Sequence, residues 1–396
     1  MTTTAEKFFR FFRTSGLLLS ALLLAACDQT VGFGASSTRA VDARDTVRVA
    51  LLAPLGSGKA ELDFLGNSLV NAARLANNDL TDVALDIKVY PTGGDPGRAQ
   101  AAAQQAVAEG AQIFVGPLFS TAAAAVAPVA AQSGLSVLSF SNNTQVAGNN
   151  LYLLGVTFES IAERVVGHAV ANGQSNIAVI HSADPAGAAG LNAANRAIAR
   201  FGASSAGAFP YELSPQGISE AAPTIARQVN AAGATAVVLT DDPGAGLVFL
   251  TPVLASAGLN SKSTKFLGLT KWNIPAEAAS TPSMQNGVFA TADPGIYSQF
   301  ETRYTATYGA APHNLAGLAY DGVAAIGAMV KAARTSGANA LTREQITDPR
   351  GFAGVNGVFR LRNDGGNDRG LALMQLRDGQ AVVIESAPRS FGVPGS

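Results

Sequence analysis

Cysteine is the scarcest chemistry in this chain. Cys27 is the only one, so no disulfide and no thiolate metal site can form within the chain. Histidine is nearly as rare: His168, His181 and His313 stand far apart and show no zinc-ligand spacing. Charged residues make up 14% with a net charge of −1, and no basic patch is interleaved with aromatics, which excludes nucleic acid as a partner. Motifs for covalent catalysis are missing as well. No serine stands three residues before a lysine, Lys-Thr-Gly and Ser-Asp-Asn do not occur, and there is no Gly-x-Ser-x-Gly elbow. Gly56-Ser57-Gly58-Lys59 follows an expected strand, but Ala53 stands where a phosphate loop needs its first glycine and Ala60 where it needs serine or threonine. The acidic pairs Glu61/Asp63 and Glu159/Glu163 lie at expected helix starts, where negative charge suits the helix dipole. The residues point to no enzyme, no resident cofactor and no metal.

What is present begins at the N-terminus. Lys7, Arg10 and Arg13 precede the apolar run Leu17–Leu24 and then Leu24-Ala25-Ala26-Cys27, the layout of a secretory signal. Its apolar core is shorter than the roughly 20 residues that a spanning helix needs. The ending Leu-Ala-Ala-Cys resembles a bacterial lipobox. That resemblance implies that residues 1–26 are removed and that Cys27 becomes the lipid-modified first residue, anchoring a periplasmic protein to a bacterial membrane. The alternative is an ordinary cleaved signal with a coincidental cysteine. Asp28 resembles an inner-membrane retention signal used in some lineages, and the choice between inner and outer membrane stays open. Residues 27–45, small and polar from Ser36 to Asp45, read as a tether.

About 350 residues remain, enough for two lobes with a core each. Val47–Leu52, Leu85–Tyr90, Ile113–Val115, Val137–Phe140 and Leu151–Leu154 read as strands, with helices over Glu61–Leu80, Gly97–Glu109 and Ala122–Gln132 between them. The pattern restarts near Thr157. Helices Phe158–Asn172, Asp184–Phe201, Ile218–Ala232 and Leu247–Ala257 alternate with strands Asn176–His181, Gly207–Leu213, Ala236–Thr240 and Lys265–Leu269. A strand trailed by a helix each time predicts right-handed βαβ units and parallel sheets. The C-terminal part opens no third array. Helices are expected at Tyr297–Tyr308 and Ala316–Ser336, then alternating segments Gly357–Arg362, Gly370–Leu376 and Ala381–Glu385, the last two joined by the hairpin signal Asp378-Gly379. These pieces are expected to cover lobes already built.

The chain is organised around Ile113–Asn143, which reads strand, turn, helix, strand, polar turn. Gly116-Pro117 stops the first strand, since proline cannot donate a ladder hydrogen bond. Ser120 and Thr121 follow where a helix cap belongs, and the second strand runs through Ser139 into Ser141-Asn142-Asn143. Two consecutive strand ends thus bring hydroxyls, amides and a helix N-terminus to one sheet edge, where small ligands bind in open parallel sheets. Ser120 and Thr121 either contact a ligand there or merely cap the helix. His181 ends a strand facing the same edge and is either a cleft residue or a strand-end residue with a satisfied hydrogen bond. Trp272, the sole tryptophan, either stacks on a ligand or partner or is buried against its lobe.

From Val47 to Glu385 the order VRVALLAPLGSG, amphipathic helix, then IFVGPLFSTAAAAVAPVAAQSGLSVLSFSNN resembles the type 1 periplasmic binding proteins, in particular their branched-chain amino-acid-binding group. The resemblance implies an α/β fold of two Rossmann-like lobes with parallel sheets joined by three crossovers. The first lobe is expected over 46–157 plus 290–350, the second over 158–289 plus 351–390, with 391–396 as a tail. Positions that contact an amino-acid ligand map onto Ser120, Thr121, Ser139 and Ser141, and the acidic partner of a ligand ammonium falls at Asp241 or Asp242. Asp242-Pro243-Gly244 is equally an ordinary turn-and-cap signal. Within the fold, the lipobox and Gly268-Leu269-Thr270-Lys271-Trp272-Asn273 are similar to the penicillin-binding-protein activator lipoproteins, which stimulate peptidoglycan synthases. Two functions follow as expectations. One is a lipid-anchored regulator that binds a peptidoglycan synthase, which the sequence favours. The other is the substrate-binding lipoprotein of an ABC transporter for branched-chain or related amino acids.

Overall fold

The computed structural model describes residues 41–392; the expected signal 1–26, Cys27, the tether up to residue 40 and residues 393–396 lie outside the described residues. Strand β1 (Val41–Asp42) already belongs to the fold. It pairs antiparallel with Asn339–Ala340, and Val41 and Ala43 are buried. The expected tether to residue 45 therefore ends earlier, because Arg334 Nε donates to Ala43 O at 2.5 Å and the two apolar side chains enter the core.

The first lobe is built on β2 (Val47–Ala53), β3 (Leu85–Pro91), β4 (Ile113–Val115), β5 (Val137–Ser139) and β6 (Leu151–Leu153), parallel throughout in the order β3-β2-β4-β5-β6. Helices α1 (Ala60–Asp79), α2 (Pro96–Ala108) and α3 (Ser120–Gln132) cover it, α1 on one face and the alanine-rich α2 and α3 on the other. Strand β2 shows why it is apolar end to end. Val49, Leu51 and Ala53 enter one core while Ala50 and Leu52 enter the other, as period-two side chains must on a sheet buried on both faces.

The chain then crosses to the second lobe through α4 (Phe158–Ala171). Thr157 caps that helix, its hydroxyl oxygen accepting from Ser160 N at 3.2 Å. Thr157→Ala is expected to lower the unfolding free energy by about 1 kcal/mol, measured by chemical denaturation. There follow β7 (Asn176–Ser182), α5 (Pro185–Arg200), β8 (Ser204–Tyr211), α6 (Pro215–Ala231), β9 (Ala236–Leu239), α7 (Val248–Ser256), β10 (Lys265–Gly268) and β11 (Val288–Thr291). These five strands are parallel and stand in the order β11-β10-β9-β7-β8.

A second crossing brings α8 (Pro294–Tyr308) and α9 (Gly317–Ser336) back onto α1, where Phe300, Tyr304, Val323 and Ile326 join the first core. Helix α8 starts three residues before its sequence-based limit because Asp293 caps it, accepting from Gly295 N at 2.9 Å and Ile296 N at 3.2 Å. After β12 (Asn339–Ala340) and the single turn α10 (Arg343–Ile346), an antiparallel ribbon of β13 (Phe352–Gly354), β14 (Gly357–Leu361) and β15 (Asn367–Arg369) packs Phe352, Phe359 and Leu361 into the same core. The third crossing delivers β16 (Ala372–Arg377) and β17 (Gln380–Glu385) to the second sheet, β16 antiparallel to β11. Asp378 and Gly379 form their turn, both at positive φ, as the Asp-Gly signal requires.

The lobe limits differ from those drawn on sequence. Val288–Thr291 stays in the second sheet although residues from 290 were placed in the first lobe, and 352–361 pack with the first core although they were placed in the second. Alternation marks a strand but carries no label for the sheet it joins. The crossings are tied together. Asn367 Nδ2 donates to Leu153 O and Gly155 O at 2.8 Å each, and Ser160 Oγ donates to Asn367 O at 3.1 Å.

Candidate functional site

A cavity of about 580 Å3 lies between the lobes, at the C-terminal ends of β4, β5, β10 and β11. That edge is where open α/β sheets bind ligands, and the volume suits a small molecule. On the first-lobe side, Gly116 turns the chain out of β4 with φ +85°. A Cβ there would sit 2.3 Å from Leu52 O, so only glycine fits. The turn leads to Phe119, which precedes α3 and offers no side-chain cap. Ser120 and Thr121 are consequently the first two residues of α3 rather than its cap. The first N–H groups of the helix stay open beside a cavity that Phe119 and Ser120 line.

Ser141 is buried and lines the cavity; its Oγ accepts from Asn143 N at 3.2 Å. Asn142 lines it too and is exposed. Ser139 is placed otherwise. Fully buried, it donates to Pro117 O at 2.8 Å and accepts from Ser141 N at 3.2 Å, joining the two strand ends instead of facing the cavity. Thr121 is exposed and belongs to a neighbouring groove with Ser57 and Lys59.

The second lobe contributes Leu269, Thr270 and Lys271 after β10, Thr291 from β11, and Ile274. Asp242 is the acidic residue on the lining. It is exposed, and its Oδ1 accepts from Gly244 N at 2.8 Å, the turn-and-cap role its sequence signalled. Asp241 does not reach the cavity. Ser182 Oγ donates to its Oδ1 at 2.8 Å and the buried Tyr211 hydroxyl donates to its Oδ2, so the carboxylate is satisfied inside the lobe. Burial, and then this bond, push the Tyr211 phenol far above its ordinary range. His181 is half-buried, its Nδ1 2.9 Å from Ser182 O, and stands off the lining as a strand-end residue. Trp272 is fully buried in the second-lobe core, so the burial alternative describes it.

Sequence reasoning passed over Lys271 while quoting the stretch that contains it. Its ammonium makes no ion pair or hydrogen bond with any described residue, and burial pushes its pKa below the ordinary lysine range, with Glu301 acting weakly the other way. The rule that found Ser120, residues just beyond a parallel strand, would have found Lys271 beyond β10. Much of the remaining wall is apolar: Leu118, Phe140, Val156 and Phe158 among others. Among the described residues, no group of three or more His, Cys, Asp or Glu could hold a metal ion, and no helix is long and apolar enough to cross a membrane.

Two α/β lobes with parallel sheets, joined by three crossovers around a cleft, define the type 1 periplasmic binding protein fold. The chain belongs to the periplasmic binding protein family, whose model matches residues 46–381. A branched-chain amino acid ABC transporter periplasmic ligand-binding protein from Burkholderia xenovorans superimposes with a TM-score of 0.68 at 18% identity, covering 87% of this chain and 96% of that one. An ABC transporter substrate-binding protein from Desulfitobacterium hafniense, in complex with Leu, gives 0.62 at 17% identity over 86% of this chain and 100% of the other. A solute-binding protein of an ABC transporter from Rhodopseudomonas palustris, in complex with 3,4-dihydroxybenzoic acid, gives 0.58 at 17% identity, with 88% and 99% covered. Likeness at such identities shows the fold. No curated protein matches the chain.

Proposed function

We propose that this chain is the solute-binding component of an ABC-type transporter, taking a small carboxylate, a branched-chain amino acid or a related acid, between its lobes. The observation that carries the reading is the interlobe cavity: apolar over much of its wall, with hydroxyls and an open helix N-terminus where a carboxylate would be received. Neighbours in complex with Leu and with 3,4-dihydroxybenzoic acid support a carboxylate-bearing solute. The synthase-regulator reading draws less support. Gly268–Asn273, the stretch behind it, turns Trp272 into the core and lends Thr270 and Lys271 to the cavity wall, leaving little of itself as a docking face. The periplasm is the working compartment, and a lipid on Cys27 holds the receptor at a membrane. Cys27→Ser is expected to move the protein from the membrane fraction to the soluble one; retention in the membrane fraction would overturn the anchor.

The test is calorimetric titration of the whole chain with leucine, valine and hydroxybenzoates, beside a pull-down with purified peptidoglycan synthases. Saturable binding of at least one acid is expected, weakened in Ser141→Ala. At a hundredfold excess over Kd the ligand should stabilise the fold by about 2.7 kcal/mol. A silent titration with a captured synthase would overturn the receptor in favour of the regulator.

A further inference from the structure

The two charged side chains on the cavity lining, Asp242 and Lys271, are unequally buried. An α-amino acid brings a carboxylate and an ammonium, and the second group needs an acceptor that is itself desolvated. Neither aspartate named for that role meets the need. Asp241 is satisfied by Ser182 and Tyr211 behind the wall, and Asp242 sits exposed at the lining with one oxygen on the Gly244 N–H. The charge on the lining that is half-buried and unpaired is instead positive, the ammonium of Lys271, with no ion pair and no hydrogen bond to any described residue. Glu301, the charge that acts on it, lies exposed on α8. The opposite wall adds the open N–H groups of α3, again favourable to negative charge.

We infer that Lys271 is a specificity-determining residue, which makes this cleft select a small organic anion that lacks an α-ammonium: a 2-oxo acid or an aromatic monocarboxylate with an apolar body. The inference rests on the receptor reading and names the solute class within it. A zwitterion in the cavity would set its ammonium in the same pocket as Lys271 with no buried carboxylate to separate them. An anion gives Lys271 the partner that the described residues do not supply, while its apolar body meets Leu269 and Phe140.

Matched titrations of the whole chain decide the matter: leucine, the 2-oxo acid of leucine, and 4-hydroxybenzoate. At least one of the two anions is expected to bind at least about tenfold more tightly than leucine. In Lys271→Met that advantage should vanish, and Lys271→Arg should keep part of it. Removing an unpaired, partly desolvated cation should also leave the Tm of Lys271→Met equal to or above that of the parent, which checks its folding. Tighter binding of leucine than of both anions, or full anion affinity in Lys271→Met, would overturn the inference while leaving the receptor reading in place. Silence towards all three acids would overturn both.

Discussion

Replacing Asp321 with alanine is expected to lower the unfolding free energy by about 3–5 kcal/mol. Asp321 and Arg369 are both fully buried, with Oδ2 and Nη1 3.1 Å apart. Every oxygen of the carboxylate is used. Oδ1 accepts from Val355 N at 2.7 Å and Asn356 N at 3.4 Å, and Oδ2 accepts from Asn356 Nδ2 at 3.0 Å as well as from Arg369. The guanidinium also donates from Nε to Leu154 O at 3.1 Å and lies 4.9 Å from the centre of the Phe359 ring. Alanine would strand a buried cation and at least two N–H donors together. The pair ties α9 to β15 and, through Leu154, to the chain leaving β6, so two of the three crossings share it. Because well-packed apolar groups can replace a buried ion pair at little loss, Asp321→Leu combined with Arg369→Met should recover much of the deficit. Urea titrations of the parent and the two variants measure this. A loss of under about 1 kcal/mol for Asp321→Ala, the scale of an exposed pair, would show that the buried pair does not hold the crossings.

Trp272→Ala is expected to lower the unfolding free energy by about 3–5 kcal/mol, the usual range for emptying a large aromatic site. Trp272 is the largest fully buried side chain, and two glycines make room for it. A Cβ on Gly268 would lie 2.3 Å from Trp272 Nε1, and one on Gly287 would lie 2.1 Å from Trp272 Cζ3. The indole Nε1 is buried without an acceptor among the described residues. Trp272→Phe therefore removes an unsatisfied donor along with part of the packing, and its loss should be clearly smaller than that of alanine. Since Trp272 does not line the cavity, Trp272→Phe should leave solute affinity unchanged in titration. A phenylalanine variant as destabilised as alanine would mean that the indole N–H has a partner after all.

Local signals and tertiary outcomes separate cleanly in this chain. The alternation of strand and helix was legible because the parallel strands are buried on both faces and the helices have one apolar stripe, so the period of the residues suffices. Asp378-Gly379 was legible for a similar reason: both positions need positive φ, and that pair tolerates it. An Asp-Pro start caps helices at both Asp95-Pro96 and Asp293-Pro294, and the second was overlooked when α8 was placed from Tyr297. Site residues were harder. Ser120, Ser141, Asn142 and Asp242 reach the cavity, but Ser139, still within β5, donates to Pro117 O, while Ser141 lies past the end of the strand.

By itself, then, the amino-acid sequence determined two parallel βα arrays, the strand-end edge that borders the interlobe cavity, and the hairpin turn at Asp378-Gly379, all set by interactions within a few residues. Only the tertiary structure decided which sheet Val288–Thr291 and Phe352–Leu361 join, that Tyr211 and Ser182 claim Asp241, and that Lys271 has no partner among the described residues. Those outcomes depend on which side chains distant in sequence are brought beside a buried charge or an apolar face, and neither periodicity nor a motif encodes that juxtaposition.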